Sequence, residues 1–284
     1  MIRYLPDNLI LNQLICFGLS CYYTLYESFR VFTTRIVTQS NKNSLKITPL
    51  ISILIPTYNR GDILKERAIK SVLQQTYLNF EVIIIDDDSN DGTFKTVSEV
   101  SDPRIKYVKI KRDKYRYPNK AIYHWFAGPV EALNVGLRLV KGSWIARIDD
   151  DDNWTPDHLE KLINFALKEN FEFVSSDIQI RGHQGIELVS GFDDPRDPTG
   201  IGATQTWLYK AEFAFFKYNI NCWRKSYFRV NDTDLQHRMW RAGLKIGYLD
   251  EVTAYIEPRP DETLVGSQAY IQNSAKYEKF YSQK

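Results

Sequence analysis

Residues 51–92 read ISILIPTYNRGDILKERAIKSVLQQTYLNFEVIIIDDDSNDG, and the way this stretch alternates decides the fold. Ile51 to Ile55 and Val82 to Ile85 are short unbroken apolar runs, each closed by turn-forming polar residues. Such runs are expected of strands buried on both faces of a parallel sheet. Between them Ile63, Leu64, Ala68, Ile69, Val72 and Leu73 recur at helical spacing, which predicts a helix over residues 62–75. Strand, helix, strand in this order is a βαβ unit.

The same alternation continues outward. A helix is expected from Thr93, a strand over 105–110, a helix over 129–140 and a strand over 143–148. Thr155 as cap and Pro156 at the first helical position then open a helix to Glu169. An open, mostly parallel α/β sheet flanked by helices is the fold class these elements imply. Farther on, residues 171–174 and 177–180 look like strand segments, and 182–202 is a long Gly-, Asp- and Pro-rich loop. A last helix runs from Asn231 or Asp232 to Arg241, with Gly243 beyond its end, before a strand near 246–256.

Residues 1–47 have a different texture and divide from a domain over 48–284, in which 48–165 and 166–284 form two halves. Apolar residues from Leu11 to Ile36 repeat at three-to-four spacing, so a helical arm is expected. Flanking arginines suit an interfacial anchor on an anionic membrane surface, while packing on the domain or on a second copy remains the alternative. The oligomeric state stays open.

Composition narrows the function. A chain of 284 residues with 43% hydrophobic content buries a substantial core, which excludes disordered and collagen-like classes. With 37 Lys and Arg against 35 Asp and Glu, the net charge of +2 argues against a nucleic-acid binder. Cys16, Cys21 and Cys222 form no CxxC pair, so neither a disulfide framework nor a zinc finger is expected and a reducing cytoplasm is the natural compartment. A basic stretch, 104–120, suits an anionic partner or simply a solvated edge strand.

Chemistry-bearing residues gather at strand ends, where ligands bind in open α/β sheets. Three polar clusters fall there: Pro56 to Asn59, Asp86 to Gly92, and Asp149 to Asn153. The four consecutive carboxylates Asp149, Asp150, Asp151 and Asp152 repel one another unless solvated or sharing a cation. Hard oxygen ligands of this type suit Mn²⁺ or Mg²⁺. A calcium loop is excluded because Trp154 stands where its glycine is required. In the Asp86 cluster, turn and capping chemistry accounts for Ser89 to Thr93 but not for three aspartates in a row.

The segments ISILIPTYNR, QQTYLNFEVIIIDDDSNDGT and EALNVGLRLVKGSWIARIDDDDNWTPDHLEKL resemble the successive signatures of family 2 glycosyltransferases, which have the GT-A fold. That resemblance implies an inverting transferase moving a sugar from a nucleotide-diphosphate donor, UDP first, to an acceptor hydroxyl, in cell-surface polysaccharide or glycoconjugate synthesis. It implies that Asp87 contacts the nucleobase with Pro56 and Tyr58 in the same pocket. Asp150 then lies near the donor ribose or sugar, and Asp151 holds a Mn²⁺ or Mg²⁺ ion, supported by Asp149 and Asp152. VNDTDLQHRMW resembles the late acidic motif that supplies the base, giving Asp232 that role with Asp234 as its alternative; Asn231 replaces a more usual acid. By the same likeness 48–165 is the nucleotide-sugar-binding half and 166–284 the acceptor-binding, base-bearing half; the acceptor, a saccharide or a lipid-linked one, falls near Gly202 to Phe216, where Gly202 allows loop movement and Trp207 and Tyr209 either stack on sugar or, equally, belong to the core. The expected location is the cytoplasm, peripheral on a membrane. A nucleotidyltransferase is the rival, although no glycine-rich basic phosphate loop follows the first strand, and a non-catalytic nucleotide-binding or membrane-tethered module is another.

Overall fold

In a computed structural model, the described residues are 5–40, 48–113, 116–182, 185–189 and 202–282. Most of the long loop expected over 182–202 therefore lies outside them. Strands β1 (Ile51–Thr57) and β2 (Phe80–Asp86) pair in parallel, with all seven residues of β1 buried. The helical stretch between them is continuous but irregular: α2 (Gly61–Leu64), a π-helical turn (Lys65–Ile69) and α3 (Lys70–Leu73). After α4 (Thr93–Ser98), strand β3 (Ile105–Lys109) pairs with β2 and forms the sheet edge.

The chain then crosses to the other side of β1. A short helix that the periodicity does not predict, α5 (Ala121–Ala127), comes first, and after Gly128 and Pro129 the helix expected over 129–140 forms as the shorter α6 (Val130–Gly136). Strand β4 (Trp144–Arg147) pairs in parallel with β1, so the sheet order β3-β2-β1-β4 reverses direction between β1 and β4. A crevice opens at this reversal, at the carboxyl ends of the strands.

Beyond β4 the sheet becomes mixed. β5 (Asp152–Trp154) emerges directly from the acidic run, which delays the next helix, α7 (His158–Glu169), by two residues relative to the Pro156 start. The separate segments at 171–174 and 177–180 are one strand, β6 (Phe173–Gly182), hairpinned to β7 (Gly185–Val189). β8 (Leu208–Lys210) lies antiparallel between β4 and β6. Then α8 (Asn231–Arg241) and β9 (Ile246–Ile256) follow as the sequence predicts, with Gly243 at φ +85° ending α8. Two C-terminal helices, α9 (Gly266–Gln272) and α10 (Ser274–Ser282), were not legible in the sequence.

Apolar side chains fill both faces of the sheet. One cluster unites Leu54, Ile83, Leu133, Trp207, Phe213 and Trp223, and the other unites Ile53, Ile84, Leu159, Trp144 and Trp154. Each fully buried side chain of this size contributes about 1.5–3 kcal/mol relative to exposure.

The arm is a single helix, α1 (Leu9–Ser40), 32 residues long, lying against α8. Its inner face is polar where it meets the domain. Glu27, 3% exposed, pairs with Arg238, and Arg224 donates to Asn12 Oδ1 at 2.7 Å and to the carbonyls of Leu5 and Pro6 at 2.6 and 3.0 Å. Arg35 forks onto Glu172 at 2.6 and 3.1 Å. Its outer face is apolar: Leu14, Phe17, Leu25, Phe29 and Phe32 are each 63–75% exposed. Leu9–Thr38 is long and apolar enough to cross a membrane by length and composition. Spanning would strip Glu27 and Asn12 from their partners and carry a carboxylate into hydrocarbon.

Candidate active site

The ends of β1, β2 and β4 and the start of α8 line one cleft. Pro56, Tyr58, Asp87, Asp149, Asp150, Asp151, Asp152 and Asp232 all border it. These residues, up to 176 positions apart in the chain (56 to 232), thus meet at the crevice that strand order creates.

The aspartates after β2 divide their work. Asp86 closes the turn: one oxygen accepts the Ser89 amide at 2.7 Å and the other takes the Tyr107 hydroxyl. Asp88, at φ +74°, faces solvent. Asp87, 4% exposed, turns into the cleft, with its own amide donating to the Thr57 carbonyl at 2.9 Å and so tying β2 to β1. Arg116 forks onto Asp87 at 2.6 and 3.2 Å, and Arg112 lies at 3.1 Å. A buried carboxylate needs such pairing, because leaving it uncompensated in the interior costs several kcal/mol. The basic stretch is therefore split: Lys106 and Lys109 belong to the edge strand, whereas Arg112 and Arg116 charge-balance the cleft.

Arginines also order the four-carboxylate run. Asp150 accepts from Thr57 Oγ1 at 2.8 Å and pairs with Arg60 at 3.0 Å. Burial still dominates there and lifts its pKa to about 6. For Asp151 burial is outweighed by Arg259 and Arg60, which hold its carboxyl below the ordinary range. Asp152, 4% exposed, accepts from Gln205 Nε2 at 2.7 Å; burial, with Asp151 and Asp149 adding repulsion, pushes its pKa well up. Asp149 takes two bonds from Arg147, at 2.9 and 3.2 Å.

Arg147 links this run to α8. Its Nη1 donates to Asn231 Oδ1 at 3.2 Å, while Asn231 Nδ2 donates to the Phe126 carbonyl at 2.9 Å. An acid at 231 has no hydrogen for Phe126, which gives the asparagine a physical reason. Asp232 then projects into the cleft from the first turn of α8, its Oδ1 accepting the Thr233 amide at 2.6 Å. Burial raises its pKa, opposed by Arg147. A carboxylate so placed is a stronger base than an exposed one.

Three sequence expectations meet a different outcome. Asp234 does not border the cleft: it is 0% exposed, pairs with Lys225 and accepts from Arg238 Nε at 3.0 Å, in the network that holds α1. Two residues along a helix rotate a side chain by about 200°, so Asp232 and Asp234 face opposite ways. Trp207 and Tyr209 are core aromatics, each 1% exposed and packed on Phe173 at 5.1 and 6.0 Å; the aromatic rings that border the cleft beside Tyr58 are Trp125, Tyr270 and Tyr281. Gly202 serves close packing, since a Cβ there would lie 2.1 Å from the Ser176 carbonyl oxygen. Its carbonyl also accepts the Trp207 indole at 2.8 Å.

The donor set suits a small hard cation only in part. Among the described residues no group of three or more His, Cys, Asp or Glu converges as a closed metal cage. Asp149 and Asp151 nonetheless offer carboxylate oxygens on one wall of the cleft. Mg²⁺-type ions commonly use one or two carboxylates and complete their shell with phosphate and water.

This geometry defines a sheet-end cleft lined by carboxylates and arginines, and comparison with known proteins identifies its class. Residues 52–189 match the model of glycosyl transferase family 2, so this stretch, just under half of the chain, is of that family. It is similar to the UDP-Glc:alpha-D-GlcNAc-diphosphoundecaprenol beta-1,3-glucosyltransferase WfgD of Escherichia coli, 36% identical over 137 residues, 48% of this chain and 49% of the relative. The match thus spans about half of that relative's length. The teichuronic acid biosynthesis protein TuaG of Bacillus subtilis is 25% identical over 71% of this chain and 87% of its own. Among solved structures, S. aureus TarS 1-349 in complex with UDP superposes with a TM-score of 0.57 at 17% identity, covering 82% of this chain and 69% of that one. The mannosyltransferase PcManGT from Pyrobaculum calidifontis, in complex with GDP-Man and Mn²⁺, gives 0.56 at 16% identity, covering 92% and 71%. Such likenesses establish the GT-A fold.

Proposed function

We propose that the chain transfers a sugar from a UDP-sugar to an acceptor hydroxyl, with inversion at the anomeric carbon, in the synthesis of a cell-surface polysaccharide. One observation carries this reading: Asp87, the Asp149 to Asp152 run and Asp232 come from separate elements and line a single cleft, which supports a shared site for a nucleoside, a diphosphate and a reacting sugar. The named activity of the Escherichia coli relative supports a UDP-sugar and a lipid-linked acceptor.

In this reading Tyr58 and Pro56 flank the nucleobase and Asp87, held by Arg116, accepts from it. Asp150 faces the ribose or sugar. Asp149 and Asp151 hold a Mn²⁺ or Mg²⁺ ion, which when bound neutralises charge on the departing diphosphate. Asp232 takes the proton of the acceptor hydroxyl as that oxygen bonds to the anomeric carbon and the bond to the phosphate oxygen breaks. Arg147 fixes Asp232 through Asn231 and Asp149 rather than touching the reacting atoms. Arg259 already compensates Asp151, so the second reading is that this guanidinium supplies the positive charge without a metal. Release of UDP from a panel of UDP-sugars, with Mn²⁺ or after chelation, separates the two. Asp151→Ala and chelation are each expected to abolish turnover; activity surviving both would remove the metal role.

The apolar outer face of α1 supports contact with a membrane surface, where a lipid-linked acceptor resides. The enzyme would sit on the cytoplasmic face. Vesicles containing anionic lipid should sediment the protein, and Phe17→Glu with Leu25→Glu should release it; unchanged sedimentation would assign that face to another role.

A further inference from the structure

Helix α10 carries two tyrosines one turn apart, Tyr277 and Tyr281, of which Tyr281 lines the cleft. Tyr281 stacks on two rings: on Tyr58, with centroids 5.7 Å apart and planes 15° off parallel, and on His124 at 4.1 Å and 16°. The Arg112 guanidinium lies 4.1 Å from the Tyr58 ring and 4.9 Å from that of Tyr281. The phenol hydroxyl reaches the Tyr270 hydroxyl at 3.0 Å and Arg60 at 3.5 Å. A flat ring with a polar edge, stacked on aromatic faces and beside Asp87's arginines, occupies this slot in the way a nucleobase would.

The same helix reaches the other end of the donor site. Tyr277, 3% exposed, bonds through its hydroxyl to Arg259 and Glu262, and Arg259 is the partner of Asp151. One nine-residue helix therefore engages the surroundings of both the nucleoside slot and the diphosphate wall. It is joined to the domain chiefly by packing on α5 and α9, without being threaded into the sheet.

We infer that α10 is a self-docked occupant of the donor site, with Tyr281 filling the nucleobase slot, and that nucleotide binding requires this helix to move out. The inference rests on the reading of the cleft as a nucleotide site. Where the binding-competent state is a fraction of the population, apparent affinity falls by that fraction. Freeing the slot then tightens binding.

The test is UDP titration by calorimetry, with Mn²⁺ present, on the full chain and on Tyr281→Ala. The variant is expected to bind UDP at least about five-fold more tightly, corresponding to a competent fraction of roughly one fifth or less in the wild type. Equal or weaker binding by the variant would overturn the occupant and make Tyr281 part of the pocket wall, while leaving the nucleotide site intact. Failure of both proteins to bind UDP or any other nucleoside diphosphate would overturn the nucleotide reading and the inference together. Hydrogen exchange on the unaltered chain gives an independent measure. Saturating UDP should increase exchange in 274–282; increased protection would show a lid closing over the ligand and reject the proposal.

Discussion

Helix α8 carries two carboxylates two residues apart, Asp232 half-buried and Asp234 fully buried, and they live in opposite worlds. Asp232 looks into the cleft, beside Arg147, Asp149 and Asn231. Asp234 is sealed beneath α1, between Lys225 and Arg238, and Arg238 continues to Glu27 of the arm. Both regions are buried arginine–carboxylate networks. Only the first leaves a carboxylate oxygen beside a cavity that a substrate can enter. A charge that must be compensated everywhere becomes chemistry only where the compensation is incomplete and the site is open. The second network uses its charges to fix an added helix against the domain, and with it the orientation of the apolar outer face relative to the cleft.

Exchanging the two positions is the sharpest way to break this contrast. Asp232→Asn removes the proton acceptor and keeps the shape, so turnover should fall by about 10²–10⁴-fold while UDP affinity and stability stay near wild type. Loss of UDP affinity instead would reassign Asp232 to donor binding. Asp234→Asn should do the reverse. It removes one partner of a buried ion pair, which should cost about 3 kcal/mol in urea unfolding while turnover per folded molecule is kept. If Asp234→Asn loses turnover without losing stability, the division between the faces of α8 is wrong.

A smaller effect tests the sealed interior without touching α8. His158 lies between Trp154, stacked at 4.1 Å, and Thr253, whose hydroxyl is 2.8 Å from Nδ1. Burial lowers its pKa from 6.5 to about 3. Between these values the unfolded chain binds a proton that the folded one does not, so this residue's contribution is present above pH 6.5 and is lost as pH falls toward 3. Relative to wild type, His158→Gln should flatten the fall of unfolding free energy between pH 6 and pH 4 by about 1.4 kcal/mol per pH unit. Parallel pH profiles would mean that the imidazole is protonated in the folded state.

The legible part of the molecule was the part with local signals. The βαβ unit over 51–86, the strand-end position of the acidic clusters and the start of α8 all follow from periodicity and turn chemistry within a few residues. Pro129 marked the start of α6, whereas α5, seven residues long, is too short for a periodic pattern to reveal. Residues 152–154 pair as a strand with 254–256 only because β9 returns beside them, a partner about a hundred positions away that no local pattern contains. Trp207 and Tyr209 were open to both readings because an aromatic ring presents the same letter to a core and to a ligand. Their 1% exposure, decided by packing on Phe173, separates the two.

The sequence by itself determined that a parallel α/β sheet would carry aspartates at its strand ends, because strand burial and strand-end turns are written in neighbouring residues. Only the tertiary structure decided which basic partner each aspartate meets and which aspartates border the cleft. The deciding partners are arginines far along the chain: Arg116 for Asp87, 29 positions away, and Arg259 for Asp151, 108 away. It also brought a tyrosine from the last helix into the slot beside Tyr58. Coulomb compensation and ring stacking act through space over a few ångströms, and chain order has no record of that distance until the sheet closes it.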